Sequence, residues 1–397
     1  MTSSGRTATR WPELALRRIG KIVNGGTPRA EGEFWDGGIP FITPPDLRPV
    51  LGATVFDTER TLSAAGVRAG SSVVPAGSVI LSIRAPIGYV ARTSSDSAFN
   101  QGCRAIVPTV DHDSRFLTYA LMGSSDFLNS IGRGTTFMEV SSAQLSEVRL
   151  PAPPLDDQRA IADYLDRETQ KIDKLITEQR DLIETLRERR KSVIDQGAEE
   201  SVAERIRLRY LFFPAEVRNQ HGEQVLSVYR DYGVIPKGSR EDNYNVTPED
   251  VSRYLLVRPG DLVVNRMKAW QGSLGISQHR GIVSGDYEVL RPTTERLHPM
   301  FAHLYLRSAR MVGQYVVRST GIRPSQWRMY WKQMGDIAIP VPPIRKQQEI
   351  VSFVSEQISR IDELISESEE LIDLSQERRA ALITAAVTGQ IDVREEA

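Results

Sequence analysis

A chain of 397 residues is too long for one typical domain, so we expect two or more. Hydrophobic residues make up 40% and charged residues 25% of it, as in soluble globular proteins, and no apolar run approaches the roughly 18 residues that span a membrane. A single cysteine, Cys103, excludes an internal disulfide framework and, with a polar Met1–Arg10 in place of a secretory signal, predicts a reducing, cytoplasmic location.

The formal net charge of −1 hides a segregation of charge along the chain. Basic residues number 15 against 13 acidic ones in residues 1–155 (+2), 9 against 13 in 156–203 (−4), 20 against 13 in 204–339 (+7) and 6 against 12 in 340–397 (−6). Basic segments suit contact with a nucleic acid, and acidic segments suit contact with a protein. The +7 segment is the stronger indication, because an excess of +2 arises readily by chance.

An internal repeat sets the architecture. The segment Leu150–Leu155 reads apolar-Pro-small-Pro-Pro-apolar, and Ile339–Ile344 repeats it 189 residues later. The same offset continues without a gap for about 40 residues. It aligns Gln158 with Gln347, residues 172–176 with 361–365, and residues 188–190 with 377–379. Duplication on this scale decides how a fold is organised.

Each copy is predicted to form one long helix that begins after its prolines, which suit an extended entry or a first helical turn. Apolar residues recur at alternating spacings of four and three, as in a coiled-coil seam. The seam and partner-facing residues predicted from this pattern are Leu165, Ile172, Leu175, Leu182, Leu186, Ile361, Leu364 and Leu371. Further isoleucines at 176, 183, 365 and 372 predict that each helix packs on more than one neighbour.

The segments before the helices also repeat, more faintly. Pro75–Arg84 resembles Arg258–Arg266 at an offset near 183, and the same offset aligns Gly102 with Gly285. Short β-branched runs between Gly and Pro turns predict strands in both segments. We therefore expect two compact α+β domains in tandem, each followed by a long helix. The predicted boundaries are 1–150 for the first domain, 151–200 for its helix, 201–339 for the second domain and 340–397 for its helix.

This layout resembles the specificity subunit of type I restriction–modification systems over nearly the whole chain. The resemblance rests on Trp11–Leu14, Ile22–Pro28 and Phe34–Pro44 in the first domain, and on Pro259–Met267 with Trp270–Ser273 in the second. Both proline-to-helix junctions and the ending Arg378–Ile391 are similar to the family as well.

The resemblance implies that each domain recognises one half of a bipartite sequence in double-stranded DNA, while the helices set the spacer. It implies partnership with two methyltransferase subunits and leaves open a translocating restriction subunit. It also implies that this chain binds no cofactor, and that S-adenosylmethionine, ATP and Mg belong to the partner subunits.

The residues themselves give little support to catalysis by this chain. There is no Gly-x-x-x-x-Gly-Lys-[Ser/Thr] phosphate loop and no glycine-rich cofactor fingerprint in a strand-to-helix setting. The string Thr43–Asp46 lacks the leading amide or acid and the trailing aromatic of an amino-methyltransferase motif, which favours a turn. Histidines 298 and 303 share no helix face with a third ligand, so no metal site is predicted. Cys103 is expected to be a small buried residue.

Candidate DNA contacts combine Lys and Arg, which bind phosphates, with Arg, Asn and Gln, which recognise base edges. The second domain offers two clusters, of which the later interleaves them with Trp327 and Tyr330. The predicted contacts there are Asn265, Arg266, Lys268, Trp270, Gln271, Arg323, Gln326, Arg328 and Lys332. For Trp327 and Trp331, packing in the core is an equal alternative. In the first domain, where a solvated surface is nearly as strong an interpretation, the predicted contacts are Arg84, Arg104, Arg133 and Thr135, with Arg92 and Thr136 nearby.

The mechanism expected from these features is non-catalytic: an antiparallel pair of helices presents the two domains to DNA in inverted orientation. Two alternatives remain open at this stage. One is a stand-alone DNA-modifying enzyme, and the other is a coiled-coil scaffold that does not bind DNA.

Overall fold

The computed structural model of the chain describes residues 10–132, 139–199, 203–230, 232–239, 247–323 and 326–394. The chain forms two compact units, which we call unit 1 (residues 1–179 and 370–397) and unit 2 (residues 180–369). Each unit mixes short strands with helices, and each contains segments of two long helices. The predicted α+β class and the two long helices are therefore confirmed, while the domain boundaries at 150, 200 and 339 stay predictions.

In unit 1, short strands and short helices lead up to the first long helix. The strands are β1 (Glu13–Ala15), β2 (Gly20–Asn24), β3 (Trp35–Ile42), β4 (Thr54–Val55), β5 (Thr61–Leu62), β6 (Val73–Val74), β7 (Val79–Ser82), β8 (Val90–Thr93), β9 (Ser97–Phe99), β10 (Cys103–Pro108) and β11 (Arg149–Pro151). The helices are α1 (Leu16–Ile19), α2 (Pro44–Leu47), α3 (Ala64–Gly70), α4 (Ser114–Met122), α5 (Ser125–Ile131), α6 (Ser142–Glu147) and the long α7 (Leu155–Glu199).

In unit 2 the order of elements is similar. The strands are β12 (Arg205–Arg207), β13 (Phe212–Pro214), β14 (Leu226–Tyr229), β15 (Gly233–Pro236), β16 (Leu255–Val257), β17 (Leu262–Asn265), β18 (Leu274–Ile276), β19 (Gly281–Val283), β20 (Tyr287–Pro292) and β21 (Ala338–Pro340). The helices are α8 (Leu208–Leu211), α9 (Pro299–Leu306), α10 (Ala309–Arg318), α11 (Trp331–Met334) and the long α12 (Ile344–Thr388).

The central sheets of the two units share one plan. In unit 1 the strand order is β2-β10-β7-β8-β4, and in unit 2 it is β13-β20-β17-β18. The neighbours are antiparallel except β4, which lies parallel to β8. The middle strands β7 and β17 are aliphatic runs whose Val79–Leu81 and Leu262–Val264 side chains are buried. Burial of such runs is what drives these segments into sheet cores.

A shared turn leads into each middle strand. Gly77 has a φ of +79° and Gly260 a φ of +91°, a left-handed conformation that glycine adopts without steric cost. Their amides donate to equivalent carbonyls, Thr93 in unit 1 and Ser277 in unit 2, at 2.8 Å in both cases. The faint repeat around Pro75–Arg84 is thus a real structural equivalence.

Strand register corrects the predicted alignment by one residue at Gly102. The amide of Ile83 donates to the carbonyl of Gly102, and the amide of Arg266 donates to the carbonyl of Asp286. Ile83 is therefore the counterpart of Arg266, as the offset of 183 predicts, while Gly102 corresponds to Asp286 instead of Gly285. The ladder of backbone hydrogen bonds fixes this register, which sequence similarity over so short a stretch leaves undetermined.

The two long helices pack into the cores in the same way in each unit. In unit 1, Ile161 and Leu165 of α7 share a core with Ile383 and Val387 of α12. In unit 2, Ile350 and Val354 of α12 share a core with Val193 of α7. The beginning of one helix thus lies with the end of the other, so the paired segments are antiparallel, as predicted.

The buried stripe of these helices differs from the predicted seam. Leu165, Ile172 and Ile361 are buried, and Leu175 and Leu186 are half-buried, as a seam requires. Leu182, Leu364 and Leu371 are instead 42%, 47% and 39% exposed. The buried position is one residue later, at Ile176 and Ile183. None of the helices in the described residues is both long and apolar enough to cross a membrane.

Candidate nucleic-acid interface

The end of β17 in unit 2 and the loop after it contain five of the predicted DNA-contact residues. The side-chain oxygen of Asn265 accepts from the amide of Met267 at 3.1 Å and closes a local turn. The guanidinium of Arg266 donates to the backbone carbonyls of Gly285 and Asp286. These two side chains therefore hold the loop itself, whereas Lys268 and Gln271 are exposed on it.

Two tryptophans connect this loop to the second predicted cluster. The rings of Trp270 and Trp327 make an edge-to-face contact, with centroids 5.5 Å apart. Trp270 also donates from its indole nitrogen to the carbonyl of Met267 at 3.1 Å. Such pairs stabilise a surface by about 0.5–1.5 kcal/mol beyond burial. Trp331, by contrast, packs against the core of unit 2.

The second cluster lies on a closed loop after α10. Thr320 and Arg328 exchange two backbone hydrogen bonds of 3.0 and 2.9 Å, which bring the two ends of the loop together. Arg323 and Gln326 on this loop, and Lys332 on α11, are exposed, while Arg328 is half-buried. The structure thus joins both predicted clusters into one surface of unit 2. Their contact with DNA stays a prediction.

A hairpin beside this surface was not among the predicted contacts. Strands β14 and β15 pair antiparallel, and the exposed Arg230 and Tyr232 lie where they meet. A Cβ added to Gly272, which ends the Trp270 loop, would lie 3.7 Å from Cγ of Arg230. The signal was available, since two tyrosines and an arginine fall within four positions between β-branched runs.

In unit 1, two of the arginines predicted to contact DNA, Arg84 and Arg104, bind other side chains of the protein. Arg84 and Arg104 both bind the carboxylate of Glu139, at 2.9 and 3.7 Å. Arg104 is only 12% exposed and donates to the hydroxyl of Ser142 at 2.8 Å. Burial lowers its pKa, and the neighbouring carboxylate of Glu139 opposes that shift. Arg84 remains 47% exposed and is the better placed of the two to meet a ligand.

The counterpart of Arg104 in unit 2 is Glu288, because both occupy the same position in the ladder. Glu288 accepts from the amide of Trp331 at 3.3 Å, and burial raises its pKa. Each residue thus reaches the start of the short helix that follows, Ser142 in α6 or Trp331 in α11. This ladder position therefore has a structural role in both units, although an arginine occupies it in unit 1 and a glutamate in unit 2.

The remaining predicted residues of unit 1 fall into two groups. Arg92 is half-buried and its guanidinium lies 3.4 Å from the hydroxyl of Thr54. Arg133, Thr135 and Thr136 lie outside the residues that the structure describes.

Two features considered as candidate chemistry have structural roles. The string Thr43–Asp46 forms a capping box at the start of α2, with the amide of Thr43 donating to the Asp46 carboxylate at 2.8 Å. Cys103 is fully buried, and desolvation raises the pKa of its thiol to about 12. Cys103 is the small buried residue that was predicted, whereas Thr43–Asp46, predicted as a turn, begins a single-turn helix. Among the described residues, no group of three or more His, Cys, Asp or Glu side chains is placed to hold a metal ion.

Comparison with known proteins agrees with the sequence resemblance. Residues 9–185 match the family model described as the type I restriction modification DNA specificity domain. The chain is 34% identical over 168 residues to the MjaIX specificity subunit of Methanocaldococcus jannaschii, a match that covers 41% of this chain and 39% of that protein. It is 28% identical over 163 residues to the EcoR124I/EcoR124II specificity subunit of Escherichia coli, covering 38% and 39%. The matches thus span about two fifths of these relatives.

Two solved structures have the same fold. One is a chain of a structure described as "Structural basis underlying complex assembly and conformational transition of the type I R-M system", with a TM-score of 0.73 at 14% identity, covering 98% of this chain and 100% of that one. The other is the HsdS subunit from Thermoanaerobacter tengcongensis, with a TM-score of 0.56 at 16% identity and the same coverage. These structures show the fold alone, whereas the match of residues 9–185 confirms the family resemblance of that part of the chain.

Proposed function

We propose that this chain is the DNA specificity subunit of a type I restriction–modification complex, in which unit 1 and unit 2 each recognise one half of a bipartite DNA sequence. The observation that carries the proposal is the repeated sheet, since the same strand plan and the same Gly77 and Gly260 turns are built twice. One recognition fold present twice suits a target made of two parts. The basic surface of unit 2 supplies the charge that phosphate contact needs.

The helices α7 and α12 set the spacing between the halves and bind two methyltransferase subunits in this proposal. Their segments are acidic, which disfavours DNA and favours a protein. Large apolar side chains are exposed along α12, where a protein partner would cover them. They are Phe353 (58%), Leu364 (47%), Leu371 (39%) and Leu374 (55%).

Catalysis is assigned to the partners. S-adenosylmethionine, ATP and Mg are expected in the methyltransferase subunits and in a restriction subunit if the complex includes one. We expect the chain to act in the cytoplasm on genomic DNA, without a catalytic step of its own.

Mapping methylated bases across the host genome, with and without this gene, tests the function. We expect a bipartite methylated motif in the parent and its complete loss in the deletion strain. An unchanged methylation pattern would contradict the proposal and favour a scaffold without DNA binding. Methyl transfer by the purified chain alone would favour the alternative of a stand-alone enzyme.

Co-purification tests the docking helix separately. Replacing Phe353 or Leu364 with Asp should reduce recovery of the methyltransferase subunit with the tagged chain, because each change places a charge in an apolar contact. The matched control is Ser355→Asp, at an exposed position of the same helix. Equal recovery with all three variants would exclude this face of α12 as the docking surface.

A further inference from the structure

A short hairpin in unit 2 is held in place by a half-buried histidine and an arginine. Its strands are β14 and β15, which pair from Leu226 with Pro236 to Tyr229 with Gly233. At its tip Tyr232 is 60% exposed, and its ring lies 6.5 Å from that of Tyr229 in an edge-to-face contact. Arg230 is exposed as well. An exposed aromatic and a cation at the tip of a hairpin are suited to a phosphate-rich ligand.

The histidine is His303 on α9, which lies beneath this hairpin. Its Nε2 is 2.7 Å from Nη1 of Arg307. A guanidinium can only donate, so Nε2 accepts and the ring proton is on Nδ1. A backbone hydrogen bond joins the ring to Ile276 in β18. Burial, reinforced by the charge of Arg307, lowers the pKa of His303 to about 4, which keeps the ring neutral and able to accept.

The other end of Arg307 reaches the hairpin. Its Nη2 donates to the backbone carbonyl of Arg230. The hairpin also approaches the imidazole closely, because a Cβ added to Gly233 would lie 2.7 Å from Cε1 of His303, and one added to Gly275 would lie 3.1 Å from it. Hydrogen bonds therefore run from β18 through His303 and Arg307 to the tip of the hairpin.

These hydrogen bonds fix the position of the hairpin relative to the loop that contains Trp270. The tip lies beside Gly272, where a Cβ would be 3.7 Å from Cγ of Arg230, and Gly272 ends the loop that contains Trp270. The 3-10 turn of that loop packs against α10, which leads into the loop containing Arg323. The hairpin thus extends the surface on which the predicted DNA contacts lie.

We propose that the hairpin of β14 and β15 is a further DNA-contacting element of unit 2, in which Arg230 and Tyr232 contact the sugar–phosphate backbone while His303 and Arg307 are positioning residues. The proposal rests on the proposed DNA-binding function. It adds an element that none of the predicted contact residues includes, and it gives a role to the half-buried His303 and Arg307 beneath the surface.

The contact residues are tested by binding of the full chain, in its complex, to a duplex containing the mapped target site. Arg230→Ala should weaken binding about tenfold and reduce the slope of log K against log salt by about 1, because one phosphate is no longer neutralised. Tyr232→Ala should weaken binding without changing that slope. The matched control is Arg207→Ala with Tyr210→Ala, because both residues are exposed on unit 2 and Tyr210 is 65% exposed.

The positioning residues are tested by a different signature. Arg307→Lys keeps the charge but cannot bridge two acceptors with a rigid fork, so binding should weaken several-fold at an unchanged salt slope. Deuterium uptake by residues 226–236 should rise in the same variant. His303→Gln keeps an acceptor for Arg307 and should restore most of the affinity that His303→Ala loses. If His303→Ala fails to fold, the affinity and deuterium uptake of Arg307→Lys test the positioning role instead.

The outcomes are separable from those of the proposed function. A parent complex that binds its target no better than unrelated duplex contradicts the function itself. A selective parent complex whose affinity and salt slope are unchanged by Arg230→Ala and Tyr232→Ala overturns the hairpin contact. Unchanged affinity and deuterium uptake in Arg307→Lys overturns the positioning role.

Discussion

Arg379 binds Asp173 through an ion pair of 2.9 Å, and the residues equivalent to them by the 189-residue repeat, Arg190 and Asp362, form the same pair at 3.0 Å. In each pair the arginine comes from one copy of the repeat and the aspartate from the other. Such reciprocal contacts arise when two equal segments pair antiparallel, as in an isologous interface. The duplicated sequence therefore stabilises its own pairing twice with one set of residues.

Reversing the charge of one residue in such a pair should destabilise the pairing of the helices. Reversing the charges of both residues should restore it. Arg379→Asp places two carboxylates together and should lower the free energy of unfolding by about 1 kcal/mol, since Asp173 is 53% exposed and solvent screens the pair. The double variant Asp173→Arg with Arg379→Asp should recover most of that loss in urea unfolding. The control is Arg360→Glu, which disrupts an exposed pair within α12 alone. No recovery in the double variant would contradict the pairing.

Gln158 and Gln347 are a second equivalence, and both side chains are buried. The side-chain oxygen of Gln158 accepts from the amide of Asp113 at 2.9 Å, and its nitrogen donates to the carbonyl of Pro153 at 2.8 Å. Gln347 accepts from the amide of His298 and donates to the carbonyl of Pro342, both at 2.7 Å. Each glutamine thereby joins the prolines before a long helix to the start of α4 or α9.

Replacing either glutamine with leucine should be costly, because the backbone groups it satisfies would be buried without partners. We expect Gln347→Leu to lower the free energy of unfolding by about 2–4 kcal/mol. Its neighbour Gln348 is exposed, and Gln348→Leu is the matched control with an expected change within about 0.5 kcal/mol. Urea unfolding monitored by circular dichroism measures both. Equal stability of the two variants would show that the buried amide does not stabilise the junction.

The tandem architecture could be predicted from the sequence because the repeat contains prolines and glycines at the ends of its helices and strands. The prolines before Leu155 and Ile344 mark where the helices begin, and glycines with positive φ mark the turns before β7 and β17. The equivalence of Gln158 and Gln347 was also visible as an ungapped alignment. What these residues do required the structure, since their partners Asp113 and His298 are about 45–50 positions away.

The candidate site was less predictable, because it depends on contacts between distant segments. Arg266 and Asn265 were predicted as DNA contacts from their residue types, and only the structure shows that their side chains also hydrogen-bond their own loop and the turn beside it. The tyrosines and arginine of the hairpin were visible in the sequence, but its place beside Gly272 exists only in three dimensions. The buried stripe of the long helices also differs from the predicted seam by one residue, since Ile183 is buried where Leu182 was predicted.

The depressed pKa of His303 predicts loss of stability in acid. Its folded pKa of about 4 is below its ordinary value of 6.5, so the unfolded chain binds the proton more readily. The contribution of neutral His303 to the free energy of unfolding is therefore fully present above about pH 6.5. It is lost as the pH falls towards 4, and the loss is on the order of 3 kcal/mol in total. His303→Gln should flatten this part of the stability curve, measured by urea unfolding at a series of pH values. An equal slope in parent and variant would exclude His303 as the titrating group.

Reversing charge on the surface of unit 2 should weaken DNA binding in a salt-dependent way. Lys268→Glu and Arg328→Glu each remove a cation from the loops joined by Trp270 and Trp327, so affinity should fall. The slope of log K against log salt should become shallower by about 1 for each phosphate that is no longer neutralised. Arg345→Glu is the matched control, because that side chain is 91% exposed at the start of α12, outside this surface. Titration of the mapped duplex at several salt concentrations gives both quantities. Unchanged affinity and slope in both variants would remove this surface from the DNA interface.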